Sequence, residues 1–195
     1  MAEADFGVPR IGVTKYGGEA VLFSSVALPG CTYVFSLKKR GNTSQWKCVN
    51  CHSLKSANNN LGPVPTVRMR DGHLLDNPDH PRNPHFCEPP TNQSVEAFQI
   101  QREAIQSVKR SGKRPRLAYQ DAISTIPEKF ADSPAEREAV AAATPPYRSV
   151  RYSYYRAHNE KFPVINSLLE IPNFLRMTLT GRHSVIPESL RQWTR

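Results

Sequence analysis

The chain has 195 residues, of which 38% are hydrophobic and 17 are proline, and its formal charge is +9. That composition is a poor recipe for one large apolar core and suits small modules joined by extended connections; so basic a balance points to phosphate polymers or acidic membrane surfaces as partners. No run of about 18 apolar residues occurs, so no membrane-spanning helix is expected.

Residues 1–9 lack periodicity and are expected to form a loose arm. Their opening, Met-Ala-Glu-Ala-Asp-Phe, has no basic-then-apolar signal pattern, which sets the expectation of a reducing, intracellular location. Residues 10–75 read as short strands broken by turns. The run 10–16 ends at Gly17 and Gly18, and the apolar run 20–24 follows at once. Paired glycines between β-prone runs predict a hairpin. Cys31 follows Leu-Pro-Gly and is expected as a free thiol. Residues 32–37 alternate, which sets Tyr33, Phe35 and the stem of Lys39 on one side. Gly41 and Asn42 turn the chain into a strand over 43–49. Residues 66–70 are strand-like, and Asp71-Gly72 predicts a second hairpin into Leu74 and Leu75. Closely spaced prolines then disfavour regular structure as far as Pro90.

Residues 94–110 fit an amphipathic helix with Val95, Phe98, Ile105 and Val108 on one face. The basic run 109–116 contains Gly112 and Pro115 and reads as a linker, with the composition of a phosphate-binding or nuclear-import segment. Further helices are predicted over 117–126, 134–143 and 147–159. The second opens with a capping box of Ser133 and Glu136, with Pro134 at its first position. Pro163, Pro172 and Pro187 divide the tail. The expected fold class is α+β: a small antiparallel, zinc-bound β-sheet module over 10–90, a helix and basic linker over 91–116, and a helical region over 117–195. Charge is uneven, with a net +3 through residue 90 and +6 after it.

The sharpest chemical signal is a split quartet. Cys48 and Cys51 form a Cys-x-x-Cys, the spacing at which two thiolates on a tight turn reach one tetrahedral ion. His85 and Cys87 form a His-x-Cys, which puts both side chains on one side of an extended segment. Together they make the Cys₃His set of a closed, structural zinc site. His52, His73 and His80 are the rival ligands; His52 abuts Cys51 and points away, and His80, five residues before His85, could replace it. A structural zinc supplies roughly 10–16 kcal/mol of apparent binding energy. Closing the intervening loop costs about 3 kcal/mol on the logarithmic rule, so the long gap is no obstacle.

The order Tyr16-Gly-Gly-x-x-Val-Leu-Phe23, Tyr33-x-Phe35, Trp46-Lys-Cys48, Cys51 and a late His-x-Cys resembles the FLYWCH zinc fingers, which share their fold with WRKY and GCM domains. The resemblance covers about residues 10–90. The cysteine spacing is shorter than the usual FLYWCH spacing, and the second pair is His-x-Cys, as in some WRKY domains. It implies a four- or five-stranded antiparallel sheet that sets a strand edge into the DNA major groove. Lys15, Tyr16 and Gly17 match the last three residues of the WRKY Arg-Lys-Tyr-Gly element, with Thr14 in place of its arginine. The helical remainder is similar in layout to the segment between such a finger and the catalytic domain of Mutator-like transposases. With the sequence ending at Trp193-Thr-Arg195, the expectation is a finger protein derived from, or cut from, such an element.

The residues themselves suggest two binding faces. Lys15 and Tyr16 sit beside a glycine turn that allows close backbone approach. Lys38, Lys39 and Arg40 at a hairpin end suit phosphate, and Lys47 is exposed by alternation opposite Trp46 and Cys48. On the last predicted helix, Arg148, Arg151, Tyr152, Tyr155 and Arg156 recur at three- and four-residue steps in a helix-turn-helix-like order. The alternative there is a small bundle packed by Val150, Tyr154 and Tyr155. The expected protein is therefore a nuclear, zinc-dependent binder of double-stranded DNA, either a transcriptional regulator or a domesticated transposon module, and not an enzyme. The rival readings are the targeting half of a transposase and a protein-interaction adaptor; exposed apolar tail residues such as Phe174, Leu175, Leu179 and Trp193 would favour the adaptor.

Overall fold

The computed structural model describes residues 6–162. Six strands form one antiparallel sheet in chain order: β1 (Arg10–Val13), β2 (Glu19–Ser24), β3 (Thr32–Lys39), β4 (Ser44–Cys48), β5 (Thr66–Arg70) and β6 (His73–Leu74). Helix α1 (Val49–Ala57) is inserted between β4 and β5. Four helices follow: α2 (Asn92–Ser111), α3 (Pro115–Lys129), α4 (Pro134–Ala143) and α5 (Tyr147–Lys161). The fold is α+β, and the sheet and helices through Lys161 belong to one compact unit.

Both predicted hairpins form. Gly17 takes φ +85° in the β1–β2 turn, and Asp71 and Gly72 are both left-handed in the β5–β6 turn, as a two-residue primed turn requires. The run Ala20–Leu22 is apolar without a break because β2 and β3 are covered on both faces. One face carries Val21, Tyr33, Phe35, Trp46, Val67 and Leu74. The other carries Ala20, Leu22 and Val34, packed against Val95 of α2.

Several expectations are corrected. The sheet has six strands, against the four or five implied by the FLYWCH resemblance. The strand expected over 43–49 stops at Cys48, and the chain turns straight into α1. That helix left no apolar period because Cys51 is its single buried residue. A β-bulge between Leu37 and Lys39 breaks the alternation, so the core side continues Tyr33, Phe35, Leu37, and Lys39 is exposed with Lys38. The basic run 109–116 is mostly helical. Gly112, at φ +73°, ends α2, and Pro115 opens α3 three residues later, at a helix position where its missing N–H costs nothing. Helix α3 is longer than the predicted 117–126 and continues through Pro127. Helix α4 starts where expected, but the Ser133 side chain makes no capping bond.

Helix α2 packs against both the sheet and the other helices. Val95 meets the sheet, Ala97 and Ile100 pack with Ala122, Ile126 and Val140, and Val108 packs with Ala118, Tyr154 and Ala157. It is thus covered on several sides, and the single stripe expected from 95, 98, 105 and 108 does not hold: Phe98 is 45% exposed.

Candidate metal centre and the basic face

Cys48 ends β4 and is the N-cap of α1, and Cys51 is the third helical residue, so one turn of helix brings both thiols to the same end. This strand-to-helix junction replaces the tight turn expected for Cys-x-x-Cys. His85 and Cys87 lie on the proline-rich segment after β6. That segment is pinned to the sheet by two aspartates. Asp76 accepts hydrogen bonds from the Arg68 backbone N–H and guanidinium, both at 2.8 Å. Asp79 accepts from Ser25 Oγ at 2.5 Å and from Val26 N–H at 2.9 Å. Burial raises the Asp76 carboxyl, but the bonds from Arg68 outweigh it and hold the group below its ordinary value.

The ligand atoms of Cys48, Cys51, His85 and Cys87 all lie within 4.8 Å of one another. Cys48 Sγ is 3.7 Å from Cys87 Sγ, and Cys51 Sγ is 3.7 Å from His85 Nδ1. With metal–sulfur and metal–nitrogen bonds of about 2.3 and 2.0 Å, the edges of a tetrahedron come to roughly 3.8 and 3.5 Å. The donors are therefore spaced to hold one metal ion. Their protons are already in contest. The Cys87 thiol pulls Cys48 well below the ordinary thiol range, against the burial that raises it, and His85 adds to the lowering. Burial lifts Cys51, and Cys87 is driven upward chiefly by its bond to Cys48. A divalent cation would replace those protons and let all three sulfurs ionise.

His85 is oriented from the far side. Its Nε2 donates to the Pro78 carbonyl at 3.0 Å, which leaves Nδ1 as the ligand atom. Its ring stacks on Tyr33 at 4.0 Å and meets the edge of Phe35 at 6.0 Å. The rivals His52, His73 and His80 are exposed and stand outside the cluster. Cys31 is a half-buried free thiol.

The cations divide by location. Lys15 and Tyr16 are exposed on the β1–β2 turn, with Lys15 Nζ 5.9 Å from the Tyr16 ring centroid. Lys38, Lys39 and Arg40 are exposed beyond the bulge, and Arg40 pairs with Glu19 at 3.2 Å. Lys47 is half-buried on the sheet face away from Trp46 and Cys48. On α5, Tyr154 and Ala157 face inward and Tyr155 is exposed, so of the bundle-packing trio only Tyr154 is fully buried. Burial raises the Tyr154 phenol well above its ordinary value. Arg148, Arg151 and Arg156 are all exposed, but only Arg156 lines the groove beside Lys15 and Tyr16. Arg102 of α2 also lines it, and sequence reasoning missed it: a lone arginine inside a mixed helix carries no signal of where its head group lands. Phe174, Leu175, Leu179 and Trp193 lie outside the described residues. The chain matches no family model, no curated protein and no solved structure.

Proposed function

We propose that this chain is a DNA-binding protein whose sheet module is held closed by one structural zinc ion. The observation that carries the reading is the Cys₃His cluster at tetrahedral spacing. Three thiolates and one imidazole in that geometry suit zinc, and four protein ligands leave no open position for a substrate. The ion's contribution is then to folding. It ties β4 and α1 to the segment 76–87, adding to the two aspartates, the His85 stack on Tyr33 and the Phe86 contact that already hold that segment.

The partner is inferred from charge and from what the sheet withholds. Lys15, Arg40 and Lys47 line one groove at the sheet, and Lys38 and Lys39 are exposed immediately before Arg40, an arrangement suited to phosphate. The sheet aromatics Tyr33, Phe35 and Trp46 are buried on the cluster side, so the sheet face offers no platform on which single-stranded bases stack. Double-stranded DNA is the polymer that fits. The finer reading is a FLYWCH-like finger serving a nuclear regulator or a domesticated transposon module.

Selection of bound duplexes from a random pool, run with zinc and with chelator, tests this. A single zinc per chain, with enrichment of duplexes that disappears in chelator, is the expected result. A protein that purifies without metal and binds equally well in chelator would overturn it.

A further inference from the structure

We infer that the helical half completes the DNA surface: one cationic groove runs from β4 across the Lys15–Tyr16 turn to α5, and it seats a phosphate backbone of the duplex. This rests on the proposed DNA-binding reading and extends it to elements outside the sheet.

The groove is continuous because its two stretches share Lys15, Tyr16 and Arg102. The sheet-side stretch adds Arg40 and Lys47; the helix-side stretch adds Lys109, Tyr152 and Arg156. Six cationic side chains thus line it against two carboxylates, Glu19 and Glu160. Both carboxylates are engaged, Glu19 by Arg40 at 3.2 Å and Glu160 by Lys109 at 2.5 Å. The excess positive charge is complementary to a phosphate chain. Tyr16 and Tyr152 are 82% and 79% exposed at the groove, and a phenol hydroxyl there can donate to a phosphate oxygen.

The two halves are registered to each other by α2. Gln99, only 3% exposed, accepts from the Val13 N–H at 2.7 Å and donates to the Val13 carbonyl at 3.2 Å. It therefore pairs with the free edge of β1 as a neighbouring strand would. Arg102 donates to the same carbonyl at 3.0 Å, and burial lowers its guanidinium. Two glycines make room for this contact. A Cβ at Gly12 would stand 2.6 Å from Gln99 Oε1, and one at Gly17 would stand 2.5 Å from Gln106 Nε2. A glutamine buried for the sake of one strand edge fixes the Lys15–Tyr16 turn against the helix that carries the rest of the groove. The metal cluster lies across the sheet, on the face of Phe35 and Trp46, while Val34, Ser36 and Lys47 face the groove.

The test is fluorescence anisotropy of the full-length, zinc-loaded chain with a mixed-sequence duplex of about two helical turns. Arg156→Ala and Tyr152→Phe are the groove variants, and Arg137→Ala on α4 is a charge control outside the groove. Arg156→Ala should weaken binding about tenfold and reduce the log–log salt slope by about 1, the signature of one lost phosphate contact. Tyr152→Phe should weaken binding a few fold, and Arg137→Ala should leave both affinity and slope as in the wild type. If the wild type binds with a steep salt slope and Arg156→Ala matches Arg137→Ala, the inference fails while the proposed function stands. A wild type that does not bind duplex overturns both. Tighter binding to the separated single strand overturns the assignment of a duplex to this groove.

Discussion

A histidine becomes a specific ligand when something other than the metal aims it. His85 is aimed three times over, by the Pro78 carbonyl, by the stacked ring of Tyr33 and by the edge of Phe35. His80, five residues earlier, is exposed and has no place in the cluster. Metal content should therefore respond to the two positions differently. His85→Ala should lose zinc, measured as metal per chain after gel filtration, and His80→Ala should retain it. The reverse result would move the third ligand to His80. The His-x-Cys spacing pointed to His85 from the sequence, because alternate residues of an extended segment share a side. What spacing could not supply was the partner for Nε2, since Pro78 reaches it through the fold of the proline-rich segment.

At the scale of elements, the contact between α2 and β1 carries the most consequence. Gly12 has no left-handed backbone, so its lack of a side chain answers a spatial demand: Gln99 and Leu22 Cδ1 occupy the space a Cβ would need. Gly12→Ala should cost about 1–3 kcal/mol in urea unfolding, the usual toll of overpacking. Gly30→Ala is strained by its φ of +86° but meets no atom, so it isolates the backbone effect. If Gly12→Ala unfolds like the wild type, the Gln99 contact is not tight. The secondary structure also shows where local signals stop. Both hairpins were legible from glycine turns, and α4 and α5 from the prolines that mark where they start. Helix α1 was not, because a helix that buries one cysteine has no apolar repeat to read. The break at 112–114 was legible, but its brevity was not. Gly112 and Pro115 are equally the marks of a loose linker and of a helix end set close to a helix start.

For the whole molecule, the metal cluster and the helices grip the sheet from opposite faces. Tyr33 and Phe35 face the cluster, and Val34 between them faces Val95 of α2. Removing the proposed ion should therefore be felt beyond its four candidate ligands. In hydrogen exchange, chelator should deprotect residues 10–90 and also the first turns of α2, whose Thr91 cap and Val95 contact depend on β3 and the Cys31 bridge. Helices α3 to α5, which pack on α2 from Ala97 to Val108 and share two apolar clusters with it, should keep more of their protection. Uniform exchange with and without chelator would show that the cluster does not support the fold.

The sequence by itself determined the chemistry of the quartet, the hairpins and the surplus of positive charge, because each depends on residue type and short spacing. Tertiary structure decided which charges share a groove. Arg156 and Lys15 are far apart in the chain, and Arg148 and Arg156 sit on one helix; yet Arg156 joins Lys15 in the groove and Arg148 does not. The reason is geometric. Eight residues of helix rotate a side chain by about 80°, and the packing of α5 through Tyr154 and Ala157 sets which direction faces the groove. The clamp of Gln99 on Val13 has the same origin, since a polar residue on a helix shows its use only when the strand edge it serves is brought beside it.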